Sequence, residues 1–315
     1  TNESRFYAFV QFLFFREWMD LKRYANEKGV RIIGDIPIFV SMDSADVWAD
    51  RKLFLLEEDG SQQHVAGSPP DNFSEEGQKW GNPVYDYSYM EEHQFDWWRH
   101  RIEKNAALYD VIRIDHFLGV VRYYTIPFQE KDYCNGKWNK GPGKKLTDVM
   151  EESAGDCRII ADNAGSAIAG SRKLLARIGW PGSKILMFAF DGNTGNENLP
   201  HNFEENNIVV YTGTHDNDTV VGYFRDKTEY ELAYLYEYLN IGSKEEIPDA
   251  LIRLAYSSIA DVVIIPMQDI LQLGNEARMN QPSTVGQNWK WRVGKDTLSE
   301  ERRAWIRTIA AVYRR

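Results

Sequence analysis

Acidic side chains stand at or just after the ends of several short apolar runs in this 315-residue chain. Asp35, Asp115, Asp162 and Asp216 each occupy such a position. In retaining glycoside chemistry, one carboxylate attacks the anomeric carbon while a second carboxylic acid protonates the leaving oxygen. A further carboxylate can hold sugar hydroxyls. The acidic residues at the run ends therefore suggest chemistry on glycosidic bonds.

Two of these acids have neighbours that bear on their role. Arg113 precedes Asp115 by two residues, so on a strand both side chains point to the same face. A guanidinium there favours the ionised carboxylate that a nucleophile requires. A buried ion pair with no catalytic part would have the same spacing. His215 directly precedes Asp216 among small residues that leave room for a ligand, although a core or surface histidine is the alternative.

The elements that must position these residues alternate between strand and helix. Short unbroken apolar strands that alternate with helices predict a parallel sheet covered on both faces. The six predicted strands are 31–40, 110–117, 158–162, 184–190, 208–212 and 261–266. The predicted helices are 6–28, 90–109, 168–178, 229–239, 250–258 and 299–313.

Both a (β/α) barrel and an open doubly wound sheet alternate in this way. No glycine-rich phosphate-binding motif follows any predicted strand, which disfavours the open sheet. Catalytic groups of a barrel lie at the carboxyl ends of its strands, where the acidic residues fall. Two segments, at about 41–89 and 121–155, interrupt the alternation, and we expect them to be insertions over the active face.

Composition excludes several classes of function. A net charge of −10 and a pI near 5.2 argue against a nucleic-acid partner. We see no run of about 18 apolar residues and no signal peptide, so we expect no membrane partner and a cytoplasmic location. Cys134 and Cys157 are too few for a disulfide framework and lack metal-binding spacing, so we expect reduced thiols and no metal site.

Aromatic residues make up 13% of the chain, and several tryptophans stand beside Gly, Pro and Asn. Exposed aromatic rings suit sugars, whose C–H faces stack on π surfaces while their hydroxyls take hydrogen bonds. Aromatic side chains that simply fill the core are the alternative.

Six sequence blocks, in order along the chain, resemble the signature blocks of 4-α-glucanotransferases, the amylomaltases and disproportionating enzymes of glycoside hydrolase family 77 in the α-amylase clan. The blocks are GDIPIFV at 34–40, AG with PPD at 66–71, GQKWGNP at 77–83, RIDHF at 113–117, GTHDNDT at 213–219, and RMN with NWKWR at 278–292. Any single block could arise by chance, but six in order are specific.

This resemblance implies an α/β fold, a (β/α)8 TIM barrel with loop insertions. It also implies transfer of a 1,4-α-glucan segment to the 4-hydroxyl of an acceptor by retaining double displacement. The expected partners are maltooligosaccharides and α-1,4-glucans, and the family needs no cofactor.

The resemblance assigns roles to particular residues. Asp115 matches the nucleophile, Asp162 stands at the general acid/base position, and Asp216 matches the transition-state stabiliser. The residues that match substrate-binding segments are Asp35, Asp71, Gln78, Trp80, Arg113, His215, Asn280 and Asn288.

The acid position departs from the family pattern. The family has Ala-Glu-Asp-Leu-Gly, whereas this chain has ADNAG at 161–165. Asp162 is one methylene shorter than Glu and withdraws its carboxyl by roughly 1 Å, a misplacement that can cost about 10²-fold in rate. Asn163 and Ala164 also remove a charge and volume. Asn72 replaces an expected lid tyrosine, and Ser283 replaces an expected glycine.

Asp35 resembles a residue of the family's third barrel strand, so two strands are expected to lie outside this chain. We therefore expect residues 1–315 to form a single catalytic barrel domain that is incomplete at its N-terminus and exposes sheet edges. Two alternatives remain open, a glucan-binding pseudoenzyme that has lost its acid and an α-glucan hydrolase of the same clan. A plastid is the alternative location.

Overall fold

The computed structural model describes residues 2–70, 74–163 and 169–315 and divides into two compact units. The first unit holds the described residues 2–68, 79–163 and 169–180. The second unit holds residues 69–70, 74–78 and 181–315.

The first unit contains seven helices and seven strands among its described residues. In chain order these are α1 (Asn2–Glu27), β1 (Ile33–Ile36), α2 (Ala45–Ala49), β2 (His64–Ser68), β3 (Gln78–Pro83), α3 (Tyr87–Glu92), α4 (Asp96–Leu108), β4 (Val111–Ile114), α5 (Leu118–Val121), β5 (Arg122–Pro127), β6 (Lys137–Lys140), α6 (Lys144–Ala154), β7 (Arg158–Ala161) and α7 (Ala169–Ile178).

Three strands of this unit form a parallel sheet in the order β1-β4-β7. The first three predicted strands are thus confirmed, although each is shorter than its apolar run. In the register, Asp35 lies opposite Arg113, and Ile114 lies opposite Ala161. Asp115 and Asp162 each follow directly after the last residue of a strand, so this sheet presents three acids at one edge.

The two predicted insertions pair with each other in a four-stranded sheet of order β3-β2-β5-β6. Ala66 lies opposite Thr125 in the antiparallel pair of β2 and β5, and Tyr124 lies opposite Trp138 in that of β5 and β6. The Arg122 guanidinium covers the Trp138 ring at 4.2 Å. These strands carry many polar, glycine and aromatic residues rather than clear alternation, so the sequence did not predict them.

Large aromatic side chains fill the core of the first unit, which was one of the two explanations for the high aromatic content. Tyr85 is fully buried among Phe39, Phe54 and Trp98, and its hydroxyl donates to the Ile38 carbonyl at 3.0 Å. This contact ties the segment after β1 to the residues that precede α3.

The single helix predicted over 90–109 is wrong, because α3 and α4 are separate. Gln94 and Phe95 have φ of 54° and 55°, in the left-handed region that no α-helix continues through. The Phe95 side chain is nevertheless buried in the core, which stabilises this unfavourable backbone.

The second unit is also built from strands and helices in alternation. Its described elements are β8 (Gly182–Ile185), β9 (Ile208–Tyr211), α8 (Val220–Arg225), α9 (Glu229–Leu239), α10 (Ile247–Ser257), β10 (Val262–Ile264), α11 (Met267–Ile270) and α12 (Glu300–Tyr313). The strands form a parallel sheet of order β10-β9-β8. Helix α9 has the predicted bounds and begins with a capping box between Thr228 and Glu231.

The predicted strand 184–190 is correct only at 184–185 and wrong from Leu186 onward. Strand β8 ends at Ile185, and Leu186–Phe188 form a 3-10 helix. Leu186 and Met187 are buried there, so they are apolar for a reason unrelated to sheet pairing. A short apolar run does not by itself distinguish a strand from a buried helical turn.

Helix α1 buries none of its residues within the described structure. Its exposed large apolar side chains are Phe6, Tyr7, Phe9, Val10, Phe12, Phe14, Phe15, Met19, Leu21 and Tyr24. The helix is anchored by Trp18, whose indole nitrogen donates to the Leu108 carbonyl at 3.0 Å. Among the described residues, no helix has the length and apolar character needed to span a membrane.

Candidate active site

One guanidinium in the first unit bonds to three acids from three neighbouring strands. Arg113 Nη1 lies 2.5 Å from Asp35 Oδ2 and 3.0 Å from Asp115 Oδ1. Arg113 Nη2 lies 2.8 Å from Asp162 Oδ2. The predicted pairing of Arg113 with Asp115 is therefore confirmed, and it extends to two further acids that stand far away in the sequence.

The Arg113 side chain is only 8% exposed, while those of Asp35 and Asp115 are about a third exposed and that of Asp162 is 16% exposed. Burial alone would lower the pKa of Arg113, but the charges of Asp162, Asp35 and Asp115 raise this pKa well above its ordinary value. The guanidinium is thus a permanent cation beneath carboxylates that reach toward solvent.

Backbone contacts fix the two acids after the strands. The Asp115 amide donates to the Ile36 carbonyl at 3.0 Å, and the Asp162 amide donates to the Ile114 carbonyl at 2.9 Å. These bonds continue the sheet ladder one residue past the strands. The Asp162 carboxylate also accepts from the His116 amide at 3.3 Å.

Trp80 and His116 stand beside this cluster. Their ring centroids lie 4.9 Å apart in an edge-to-face arrangement, and Trp80 also contacts Phe39. His116 has φ of 46°, an unusual backbone for a residue with a side chain, directly after Asp115. The structure therefore brings Trp80, predicted from a separate sequence block, to the loop that carries the predicted nucleophile.

A second cluster forms in the second unit around the loop between β9 and α8. His215 Nε2 lies 3.5 Å from Asp216 Oδ1. The Asn280 side-chain amide donates to the same oxygen at 2.6 Å, and the Asn280 backbone amide donates to the His215 carbonyl at 3.0 Å. Asn280, predicted as a substrate ligand, thus also orients the Asp216 carboxylate.

Arg278 ties this loop to the segment that carries Asn280. Its guanidinium pairs with the Asp218 carboxylate and donates to the backbone carbonyls of Asp216 at 2.7 Å and Asn280 at 2.8 Å. The Trp289 ring lies 5.1 Å from the His215 ring and is 54% exposed. An exposed aromatic face beside polar groups is suited to a sugar ring, as the composition suggested.

The other predicted site residues have different surroundings. Asn288 bonds to backbone groups of its own loop, accepting from the Gln281 amide at 3.0 Å and donating to the Thr284 carbonyl at 3.0 Å. Gln78 is buried at the start of β3. Asp71 lies outside the described residues, as do Asn72 and Ala164.

Sequence reasoning missed the support for these loops. Arg278 was noticed only as part of a block, and Asp269, which bonds both ends of the loop that carries Asp216, was not noticed at all. The sequence did contain a signal for Asp269, because this residue follows the predicted strand 261–266 just as the other acids follow their predicted strands. The described residues include no group of His, Cys, Asp or Glu side chains placed to hold a metal ion.

Chemically, the first cluster can combine a nucleophilic carboxylate with a second carboxyl that transfers a proton. One guanidinium binds both, which keeps Asp115 and Asp162 near each other, and retaining glycosidases need carboxyls about 5 to 5.5 Å apart. The second cluster can hold hydroxyl groups through an oriented carboxylate, an imidazole and an amide.

Known proteins match this chain along nearly its whole length. A family model for 4-alpha-glucanotransferase matches residues 1–297. The 4-alpha-glucanotransferase of Clostridium butyricum is 46% identical over 318 residues, covering 100% of this chain and 65% of that protein. The chloroplastic/amyloplastic 4-alpha-glucanotransferase of Arabidopsis thaliana is 46% identical over 287 residues, covering 91% of this chain and 50% of that protein.

A solved structure agrees with these sequence matches. The amylomaltase from Streptococcus agalactiae in complex with acarbose superposes with a TM-score of 0.91 at 42% identity, covering 97% of this chain and 62% of that one. This similarity confirms the predicted α/β class and the barrel type of fold. The chain spans 50% to 65% of the length of these three proteins.

Proposed function

This chain belongs to the 4-alpha-glucanotransferase family, and we propose that it transfers a segment of a 1,4-α-D-glucan to the 4-hydroxyl of an acceptor glucan or glucose. The observation that carries the proposal is the bonding of Asp115 and Asp162 to one guanidinium, that of Arg113. A retaining transferase needs two carboxyl groups held close together on a rigid scaffold.

In the first step, the Asp115 carboxylate attacks the anomeric carbon of the donor glucan. The bond between that carbon and the glycosidic oxygen breaks, and the Asp162 carboxyl gives its proton to the leaving 4-oxygen. A β-linked glucosyl ester on Asp115 forms, and the shortened glucan leaves with a free 4-hydroxyl.

In the second step, the 4-hydroxyl of the acceptor attacks the same carbon, and the Asp162 carboxylate takes its proton. The bond from the carbon to Asp115 breaks, which restores both carboxyl groups and gives an α-1,4 linkage. Two inversions retain the configuration. Water is the competing acceptor and would make the reaction a hydrolysis.

The remaining groups bind the glucan in this proposal. Asp35 and Arg113, which pair with each other, bind sugar hydroxyls; Arg113 also holds Asp115 in place, and Trp80 offers an aromatic face beside it. Asp216, with His215 and Asn280, binds sugar hydroxyls and stabilises the developing positive charge on the sugar ring. Asp71, Gln78 and Asn288 belong to the segments that line the groove for maltooligosaccharides.

We also propose that residues 1–315 belong to a single catalytic barrel domain. The match of the 4-alpha-glucanotransferase family model to residues 1–297 supports this. The reaction takes place in a bacterial cytoplasm or in a plastid. The chloroplastic/amyloplastic location in the name of the Arabidopsis relative is compatible with the second of these.

The test is incubation of the purified protein with maltotriose, with oligosaccharides separated by chromatography and total reducing ends counted. We expect glucose and longer maltooligosaccharides at a constant number of reducing ends. Asp115→Asn, which keeps the shape and removes the nucleophile, serves as the matched control and should form no products. Rising reducing ends would indicate a hydrolase, and saturable glucan binding without products would indicate a pseudoenzyme.

A further inference from the structure

We propose that Asp269 is the positioning residue for the Asp216 loop, since its single carboxylate bridges the two ends of residues 213–219. This inference rests on the proposed function, in which Asp216 acts on the glucan. Asp269 Oδ2 accepts from the Thr212 hydroxyl at 2.6 Å, at the point where β9 has just ended. Asp269 Oδ1 accepts from the Val220 amide at 2.8 Å, at the first residue of α8.

The bridge is buried at all three of its members. Asp269 is 1% exposed, and Thr212 and Val220 are fully buried. A group this buried cannot contact a sugar at the surface, so Asp269 acts through the loop and not on the substrate. Burial also raises the pKa of Asp269 above its ordinary value, which is the cost of keeping a carboxylate there.

The loop between the two anchors is short and internally bonded. Asn217 accepts from the Thr214 amide at 2.8 Å, and the Thr214 hydroxyl accepts from the Asp216 amide at 3.3 Å. These bonds fix the shape of the loop from within. Where the loop lies depends on its anchors to the rest of the unit, and Asp269 supplies the anchors at its two ends.

Further anchors come from the chain that follows Asp269. Asn275 accepts from the Thr219 amide at 3.1 Å, and it lies so close to α8 that a Cβ on Gly222 would stand 1.9 Å from its oxygen. Arg278 and Asn280 then bond the loop at Asp216 itself. Helix α11 and the residues after it thus form a frame for the loop, and Asp269 is its most buried part.

A misplaced loop should slow the chemical step more than it weakens binding. Displacements of about 1 Å in a catalytic group can cost on the order of 10²-fold in rate. Asp269→Asn keeps the volume but removes the charge and replaces one acceptor oxygen with a donor, so the Thr212 hydroxyl must turn to accept, and both anchors become weaker neutral hydrogen bonds. We expect the kcat of transfer to fall roughly 10- to 100-fold, with KM changed less than about threefold.

Asp261→Asn is the matched control. Asp261 is in the same unit and accepts from the Asn206 side-chain amide at 2.8 Å. It directly precedes β10, whereas the loop follows β9, so in this parallel sheet the two lie at opposite strand ends. At a temperature where both variants are folded by circular dichroism, Asp261→Asn should keep its kcat within about threefold of the unmodified protein.

Hydrogen exchange read by mass spectrometry provides a measure that does not depend on activity. Asp269→Asn should speed amide exchange in residues 213–220, and Asp261→Asn should not. Thr212→Val, which removes only the hydroxyl, should show the same effects more weakly, and it replaces Asp269→Asn if that variant does not fold.

The outcomes separate this inference from the proposed function. If the unmodified protein transfers no glucan, the proposed function fails, and the exchange data alone decide whether Asp269 positions the loop. If Asp269→Asn loses no more kcat than Asp261→Asn, or if exchange in 213–220 is unchanged, Asp269 is an ordinary buried residue and the inference is overturned.

Discussion

Arg113 Nη2 lies 2.8 Å from Asp162 Oδ2, so the residue at the family's acid position is bound by the same guanidinium that binds Asp115. The shorter aspartate therefore reaches a partner deep in the cluster. A glutamate at this position would place its carboxyl one methylene farther from the backbone.

Asp162→Glu should raise the rate of glucan transfer. We expect an increase in kcat of about 10- to 100-fold, because a shift of the carboxyl by roughly 1 Å changes rates on that scale. Maltotriose disproportionation measures it. Asp162→Asn, of the same size but without the acid, should lose nearly all transfer. Equal rates for all three proteins would mean that position 162 takes no part in proton transfer.

Arg113→Lys should destabilise the protein and abolish transfer. A lysine ammonium cannot reproduce the flat fork that bonds three carboxylates at once. Leaving at least one of these partly exposed acids without its bond should lower the free energy of unfolding by about 1–3 kcal/mol, measured by urea titration.

Arg99→Lys is the control for that change. Arg99 pairs at 3.1 Å with Glu152, whose side chain is 70% exposed, so its loss should cost less than about 1 kcal/mol. If both lysine variants were equally stable and Arg113→Lys remained active, the Arg113 cluster would be neither structural nor catalytic.

Asp110→Asn should remove a pH-dependent part of the stability. Asp110 binds Lys22 at 2.7 Å and the Ile32 amide at 2.8 Å, joining α1 to the segment before β1. Partial burial alone would raise its pKa, but these donors and the Lys22 charge lower the pKa from 3.8 to about 2. The folded state thus binds this proton more weakly than the unfolded state does.

The sign of the effect follows from that difference. Ionised Asp110 stabilises the fold above about pH 4, by about 1–2 kcal/mol, and loses this contribution as the pH falls toward 2. Urea titrations at several pH values should show a lower free energy of unfolding for Asp110→Asn than for the unmodified protein near pH 7. This difference should shrink below pH 4. Asp20→Asn is the control. Asp20 forms an exposed pair with Arg23 on α1, so this variant should have almost the same free energy of unfolding as the unmodified protein. A deficit that stays constant with pH would contradict the assignment.

Gly34→Ala should disturb the strand that carries Asp35. A Cβ at position 34 would stand 2.0 Å from the Tyr109 ring, so the ring or the strand must move. We expect a loss of about 1–3 kcal/mol in the free energy of unfolding, together with slower transfer. Gly242→Ala is the control, since its Cβ would meet only the Glu246 carboxylate at 3.9 Å. Equal stability of the two variants would argue against close packing at Gly34.

Local pattern predicted a large part of this protein. The apolar runs overlapped all six parallel strands, because strands of a sheet covered on both faces tend to be apolar throughout. The spacing of Arg113 and Asp115 predicted their contact, since residues two apart on a strand share a face. The sequence blocks identified the family without any coordinates.

Other features had no local signature. The antiparallel sheet from the two insertions depends on pairing between β2 and β5, whose side chains show no strict alternation. The break at Phe95 depends on core packing that outweighs an unfavourable φ.

What the sequence by itself determined is which residues stand at strand ends, which faces are apolar and which family the chain resembles, because these depend on neighbours within a few residues. Only the tertiary structure decided which distant groups meet. Arg113 reaches Asp35 across 78 positions, Asn280 reaches Asp216 across 64, and Asp269 reaches Thr212 across 57. Such contacts follow from the order of strands in each sheet. Bringing residues so far apart together costs loop-closure entropy, which is offset only when the whole sheet forms.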